Sequence, residues 1–189
     1  TPEAIEHYRS YFTEPAYETL PDASELLAQQ RFENREFDQW VAHNVDAHKR
    51  PGYAIVTLTL KKTGIPPGDV SDAQLEHIAD LADEFSFGEV RSTHEQNLVL
   101  ADVRQDRLLE LWQRLRPLGF ATPNLNTLTD VICCPGGDYC ALANAKSIPV
   151  AEAIQRRFDD LDYLYDLGKI DLNISGCMNA CGHPHVGNI

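Results

Sequence analysis

Four thiols stand in two short loops, in the runs Cys134-Pro-Gly-Gly-Asp-Tyr-Cys140 and Cys177-Met-Asn-Ala-Cys181. The first pair has five residues between its cysteines, the second has three, and 36 residues separate the pairs. Four thiolates from two loops suit a soft metal centre. Zinc knuckles commonly place two to four residues between ligands, so the first spacing weakens zinc. An iron–sulfur cluster is larger than one ion and needs ligands spread wider. Pro135, Gly136 and Gly137 let the backbone pass close to sulfide atoms and offer N–H groups to them, and Gly176 and Gly182 flank the second pair similarly. Such donors stabilise a negative cluster and raise its potential. Spacing puts a [4Fe–4S] cluster first, with zinc and purely structural thiols as alternatives.

Five cysteines are an odd number for a disulfide framework, and none lies before Cys133. A reduced, cytoplasmic setting with one local metal or redox site fits better. The 189 residues allow one unit or two, and 43% hydrophobic residues support a real core. Sixteen Lys+Arg against 29 Asp+Glu give −13, which argues against a nucleic-acid surface and against anionic membranes. No apolar run approaches the ~20 residues of a membrane span.

The elements that must carry these loops can be read from periodicity. Residues 1–48 read as a helical connecting segment, with Ile5, Tyr8, Tyr11 and Phe12 sharing a face and Pro15 and Pro21 as breaks. Its aromatics would pin it to a larger body. Residues 53–62 alternate as a strand, with Val56, Leu58 and Leu60 on one side and Thr57 and Thr59 on the other. Ser71 and Gln74 have capping-box spacing, ahead of a helix with the stripe Leu75, Ile78, Ala82 and Phe85. Glu89–Thr93 and Gln96–Val103 read as strands. A second helix carries Leu108, Leu111, Trp112, Leu115 and Leu118, with Gly119 as its C-cap. Strand, helix, strand, strand, helix matches most of a ferredoxin-like α+β unit over residues 49–119. Residues 120–189 form a second region around the cysteine loops. In it Ala153, Ile154 and Phe158 mark a helix over 151–158, and 169–175 reads as a strand. The acidic run Asp159, Asp160 and Asp162 reads as solvated surface.

The run from Thr129 to Lys146, followed by Asn173 to Ile189, resembles the sulfite/nitrite reductase hemoprotein family. The four-cysteine pattern carries the likeness, and the run Gly88–Leu100 resembles the family's ferredoxin-like half-domain. The fold class implied is α+β, a ferredoxin-like half-domain followed by an incomplete α/β siroheme/[4Fe–4S]-binding domain. The resemblance implies siroheme beside a [4Fe–4S] cluster, and six-electron reduction of sulfite to sulfide in sulfur assimilation and cysteine biosynthesis. Reduction of nitrite to ammonia is the alternative, and a heme-free electron-transfer module a further one. Cys134, Cys140, Cys177 and Cys181 would hold the cluster. Cys181 would also be the catalytic axial thiolate joining it to the siroheme iron.

The resemblance also offers Arg91, Thr93 and Asn179 as cofactor-binding residues. Arg91 suits the carboxylates of siroheme, although a strand-edge Arg has ordinary surface roles. Thr93, Gln96 and Asn97 can donate to the same carboxylates or serve turn chemistry. Asn179 matches an Asn near cluster or heme. His183 and His185 are candidate proton donors or loop packing. Lys61, Lys62 and Lys146 are candidate anion partners, with solvated lysine the default. Cys133 lies outside the signature and reads as packing. Both ends read like cuts in a longer chain, so the rest of the polypeptide is an expected partner. It would supply most of the cations that grip the anion. A flavoprotein or a ferredoxin is the expected electron donor.

Overall fold

The computed structural model describes residues 1–189. Its main layer is an antiparallel sheet in the order β1-β2-β4-β3. The strands are β1 (Val45–Ala47), β2 (Tyr53–Leu58), β3 (Arg91–Ser92) and β4 (Leu98–Arg104). Because β2 and β3 both run antiparallel to β4, they are parallel to each other. Helix α4 (Asp72–Phe85) forms the crossover between them, and α5 (Leu108–Leu118) follows β4. This is the split βαβ pattern of a ferredoxin-like unit.

Local sequence explains these elements. Ala54, Val56 and Leu58 of β2 are buried, while Ile55 and Thr57 are half-buried. Thr59 departs from the expected polar face and is fully buried. Its hydroxyl donates to the Thr122 carbonyl and accepts from the Asn44 amide. The capping box is formed: Ser71 Oγ accepts from Gln74 N–H, and Gln74 Oε1 accepts from Ser71 N–H. Ile78, Leu81, Ala82 and Phe85 face the core. Leu75, expected in that stripe, is exposed, because the buried face begins one turn further into the helix. Gly119 ends α5 in the left-handed region at φ 85°.

The chain before the sheet holds α1 (Pro2–Arg9), α2 (Ser24–Glu33) and α3 (Arg35–Asn44). Phe37, Trp40 and Val41 of α3 enter the same 18-residue core as the sheet, and β1 is the sheet's edge strand. Residues expected to connect therefore pack inside the unit, because two aromatic rings on one helical face bury together. The helical face expected at Ile5 and Tyr8 does form in α1, but it buries nothing; Phe12 beyond it is 82% exposed.

A smaller core of Leu128, Val131, Cys133, Ala151, Leu164 and Leu172 supports the cysteine loops. Its elements are β5 (Ile132–Cys133), α6 (Gly136–Tyr139), α7 (Ile148–Arg157), α8 (Leu161–Leu167) and β6 (Asn173–Ile174), with β5 and β6 parallel. Helix α7 starts earlier than its periodicity suggests. Its buried face therefore runs through Ile148, Ala151 and Ile154, and Ala153 faces solvent. The expected strand over 169–175 is regular only at β6. The acidic run is exposed yet structural: Asp160 caps α8 by accepting from Tyr163 N–H, Asp159 accepts from Thr63 Oγ1, and Asp162 pairs with Arg35.

Candidate metal centre

Cys134 leaves β5 and Cys140 closes the turn of α6, while Cys177 and Cys181 follow β6. The parallel β5–β6 pair thus delivers both loops to one end. There the four cysteines wall a single cavity of about 100 Å³, with Pro135, Gly136, Leu142, Ala143, Ser175 and Asn179. Cys134 is buried, Cys140 and Cys177 are half-buried, and Cys181 is exposed. Larger clefts of about 610 Å³ and 430 Å³ contain no cysteine.

The loops are tied to each other by backbone. The Gly176 carbonyl accepts from Asn144 and Ala145 N–H at 2.9 and 3.0 Å, and Gly137 N–H donates to the Ala145 carbonyl at 2.9 Å. The approach is close enough to require glycine. A Cβ on Gly176 would stand 2.6 Å from the Ala145 carbonyl oxygen, and one on Gly136 (φ 57°) would stand 2.1 Å from Ser147 Oγ.

Hydrogen bonds already reach the sulfur. Gly176 N–H donates to Cys134 Sγ at 3.1 Å, and Ser147 Oγ lies 3.3 Å from the same atom. Burial pushes the Cys134 thiol up, but the Ser147 hydroxyl and the N–H groups of Gly176 and Gly136 outweigh it. The net effect holds Cys134 below the ordinary thiol value. Cys133 is the opposite case. Burial, with Cys134 beside it, pushes its thiol to about 11.

The donor set fits a multi-iron cluster. Four thiols surround a space with mostly apolar walls, and glycine-only backbone supplies N–H donors to sulfur.

The cavity also gathers Asn179 but not Arg91 or Thr93. Arg91 is exposed on β3 and ion-paired with Glu89. Thr93 lies in the β3–β4 turn, where its Oγ1 accepts from Asn97 N–H at 3.3 Å. Gln96 gives its carboxamide to the Cys133 backbone, and Asn97 gives its own to Leu60, Lys61 and Asp130. Lys61 overturns the expectation of a solvated or anion-binding lysine. It is 1% exposed, and its ammonium donates to the Glu95 and Gln96 carbonyls, with Asp130 at 3.8 Å. Burial pushes Lys61 down to about 8 and Asp130 above the usual carboxylate range. Lys62 is exposed, and Lys146 pairs with Asp138 at 2.9 Å near the cavity. His183 lines the 430 Å³ cleft, and its carbonyl accepts from Asn173 Nδ2; His185 is exposed. Sequence reasoning missed Ser147, whose contact with Cys134 spans 13 residues and carries no local signature.

A helix-backed antiparallel half-domain joined to a four-thiol cavity defines the class of molecule. The model of the nitrite/sulfite reductase ferredoxin-like half domain matches residues 57–118. A sulfite reductase [ferredoxin] 2 of Mycolicibacterium paratuberculosis is 30% identical over 155 residues, covering 79% of this chain and 27% of that protein. A chloroplastic ferredoxin–nitrite reductase of Zea mays is 30% identical over 178 residues, covering 88% and 28%. The solved structure of the Mycobacterium tuberculosis NirA protein superposes with a TM-score of 0.58 at 26% identity, covering 74% of this chain and 25% of that one. Residues 57–118 thus carry the ferredoxin-like half domain of the nitrite/sulfite reductases, and the chain spans between a quarter and a third of the length of these relatives.

Proposed function

We propose that this chain is the cluster-holding part of a siroheme- and [4Fe–4S]-dependent sulfite reductase, which reduces sulfite to sulfide by six electrons. The observation that carries this reading is the single cavity walled by Cys134, Cys140, Cys177 and Cys181. Cys134, with the Gly176 N–H on its sulfur, forms the buried side of the ligand set. Cys181, the exposed thiol, is the one suited to be shared with a siroheme iron. Asn179 stands at the same rim, and the Lys146–Asp138 pair lies close by. When bound, the coupled centre supplies electrons one at a time and a metal site for the anion.

The chain's own residues supply the thiolates, line the cavity with apolar Leu142 and Ala143, and orient sulfur with backbone N–H. The net charge of −13 opposes an anionic substrate, so the cations that hold it belong to the rest of the polypeptide. Nitrite is the second reading, favoured by the maize relative at equal identity. A ferredoxin is the donor that the relatives' names support, with a flavoprotein as the alternative. No helix is long and apolar enough to cross a membrane. The free thiols gathered at one cavity fit a reducing, cytoplasmic compartment.

The test is an anaerobic absorption spectrum of the intact protein from a siroheme-making host, with turnover of sulfite and nitrite measured on the same sample. Siroheme bands over broad sulfide-to-iron absorption, with faster sulfite turnover, are expected. Broad absorption without heme bands would leave an electron-transfer module, and faster nitrite turnover would reassign the substrate.

A further inference from the structure

Strand β5 has partners on both sides, and only one of them is a strand. Ile132 N–H and Cys134 N–H point to β6 and donate to the Leu172 and Ile174 carbonyls, each at 3.0 Å. The N–H and C=O of Cys133, between them, point the other way. Both are taken by one side chain: Gln96 Oε1 accepts from Cys133 N–H at 3.0 Å, and Gln96 Nε2 donates to the Cys133 carbonyl at 2.9 Å. A carboxamide carries one acceptor and one donor, so it replaces a third strand at this residue.

Gln96 is itself held. It sits in the β3–β4 turn at φ 59°, a conformation disfavoured for a residue with a side chain. The buried Lys61 ammonium donates to its carbonyl at 3.0 Å, and Gln96 N–H donates to the Thr93 carbonyl at 3.3 Å. Gly68 leaves it room, since a Cβ there would lie 3.1 Å from Gln96 Cβ. The half-domain thus reaches across to grip the residue that precedes the first thiol of the cavity.

We propose that Gln96 is a positioning residue for the metal centre: its carboxamide fixes the Cys133 backbone, and so holds Cys134 Sγ under the Gly176 N–H. The inference rests on the reading of the cavity as a cluster site. An N–H donor to a cluster sulfur raises the reduction potential. Loosening β5 lengthens that hydrogen bond and weakens the hold on iron.

The test compares wild type, Gln96→Leu and Gln96→Glu in the intact protein, prepared anaerobically with its cofactors. Iron and sulfide content, the cluster midpoint potential and the rate of iron release to a chelator are measured. Gln96→Leu is expected to retain iron but to release it about tenfold faster, with a more negative potential. Gln96→Glu carries the informative signature. Ionised, its carboxylate repels the Cys133 carbonyl; protonated, it both accepts and donates as glutamine does. Its potential should therefore approach that of wild type at the acid end of the range where the cluster survives, and fall away as pH rises. Gln96→Leu should show no such approach. Wild-type potential and release rates in both variants would overturn the positioning role. Absence of iron and sulfide from the wild type would instead overturn the cluster reading itself. If Gln96→Leu fails to fold, the iron-release rate of Gln96→Glu relative to wild type at each pH decides: a carboxylate's charge shifts the potential through space, but a faster release that reverts to wild type at the acid end requires the lost backbone contact.

Discussion

Adjacent thiols Cys133 and Cys134 meet opposite fates because successive residues on a strand face opposite sides. Cys133 points into the smaller core, where burial raises its thiol to about 11 and keeps it protonated at neutral pH. Cys134 points into the cavity, where a hydroxyl and two backbone N–H groups hold its thiol below the ordinary value. The difference predicts which thiol carries metal. Cys133→Ser should leave iron and sulfide per chain near the wild-type content, at a stability cost of about 1–3 kcal/mol for burying a hydroxyl. Cys134→Ser should lose most of the cluster. Metal analysis of the two variants, with a denaturant titration of each, separates the roles; loss of iron from Cys133→Ser would reverse the assignment.

Among the elements, α4 is the best specified by its own sequence. Its capping box satisfies two backbone N–H groups at the first turn, and its apolar face lies over the sheet. Ser71→Ala should cost about 1 kcal/mol, read as a lower urea midpoint with an unchanged slope. A midpoint equal to wild type would mean that water replaces the cap at no cost. Strand β1 is the contrary case. Three residues, half-buried to exposed, give no alternation to read, and only pairing with β2 makes them a strand. In β5 and β6 the regular span is two residues each, so periodicity is again too short to register. What holds that pair is its ladder on one side and the Gln96 carboxamide on the other.

At the scale of the whole molecule, two apolar cores meet across a polar junction. Lys61, Asn97, Asn124, Thr129 and Asp130 are the buried groups there, and they join by hydrogen bonds and one ion pair. Such a junction has a pH signature. Lys61 lies near 8 when folded, against 10.5 for a free lysine. Between those values the unfolded chain holds more protons, so this group makes stability rise as pH climbs from about 8 to 10.5 and contributes no slope well below 8. Asp130 works the other way in acid. Its carboxyl is held above the ordinary value by burial, so its contribution falls as pH rises through the acid range. Lys61→Met should lower stability overall, because it leaves Asp130 without its counter-charge and the Glu95 and Gln96 carbonyls without their donor. It should also flatten the alkaline rise relative to wild type. Urea midpoints of both proteins at intervals from pH 7 to about 10.5 would show it; parallel curves would remove Lys61 as the cause.

Legible in the order of residues were the four thiols that share a cavity, the strand-and-helix order of the half-domain, the capping box and most of the larger core. Each of those is written within a few residues: a loop spacing, an alternation, a helical stripe. How the polar residues are used depends on contacts between distant parts of the chain. Gln96 lies 37 residues from Cys133, and Lys61 lies 34 from Glu95. A side chain that can donate or accept in many settings acquires its partner only when the chain is folded. Arg91, apt by type for a carboxylate-rich cofactor, is ion-paired with its near neighbour Glu89 at the sheet edge. Lys61, apt for solvent, is enclosed because backbone carbonyls and Asp130 converge on it from another part of the chain. Local periodicity fixes where side chains point, and long-range closure decides what they meet.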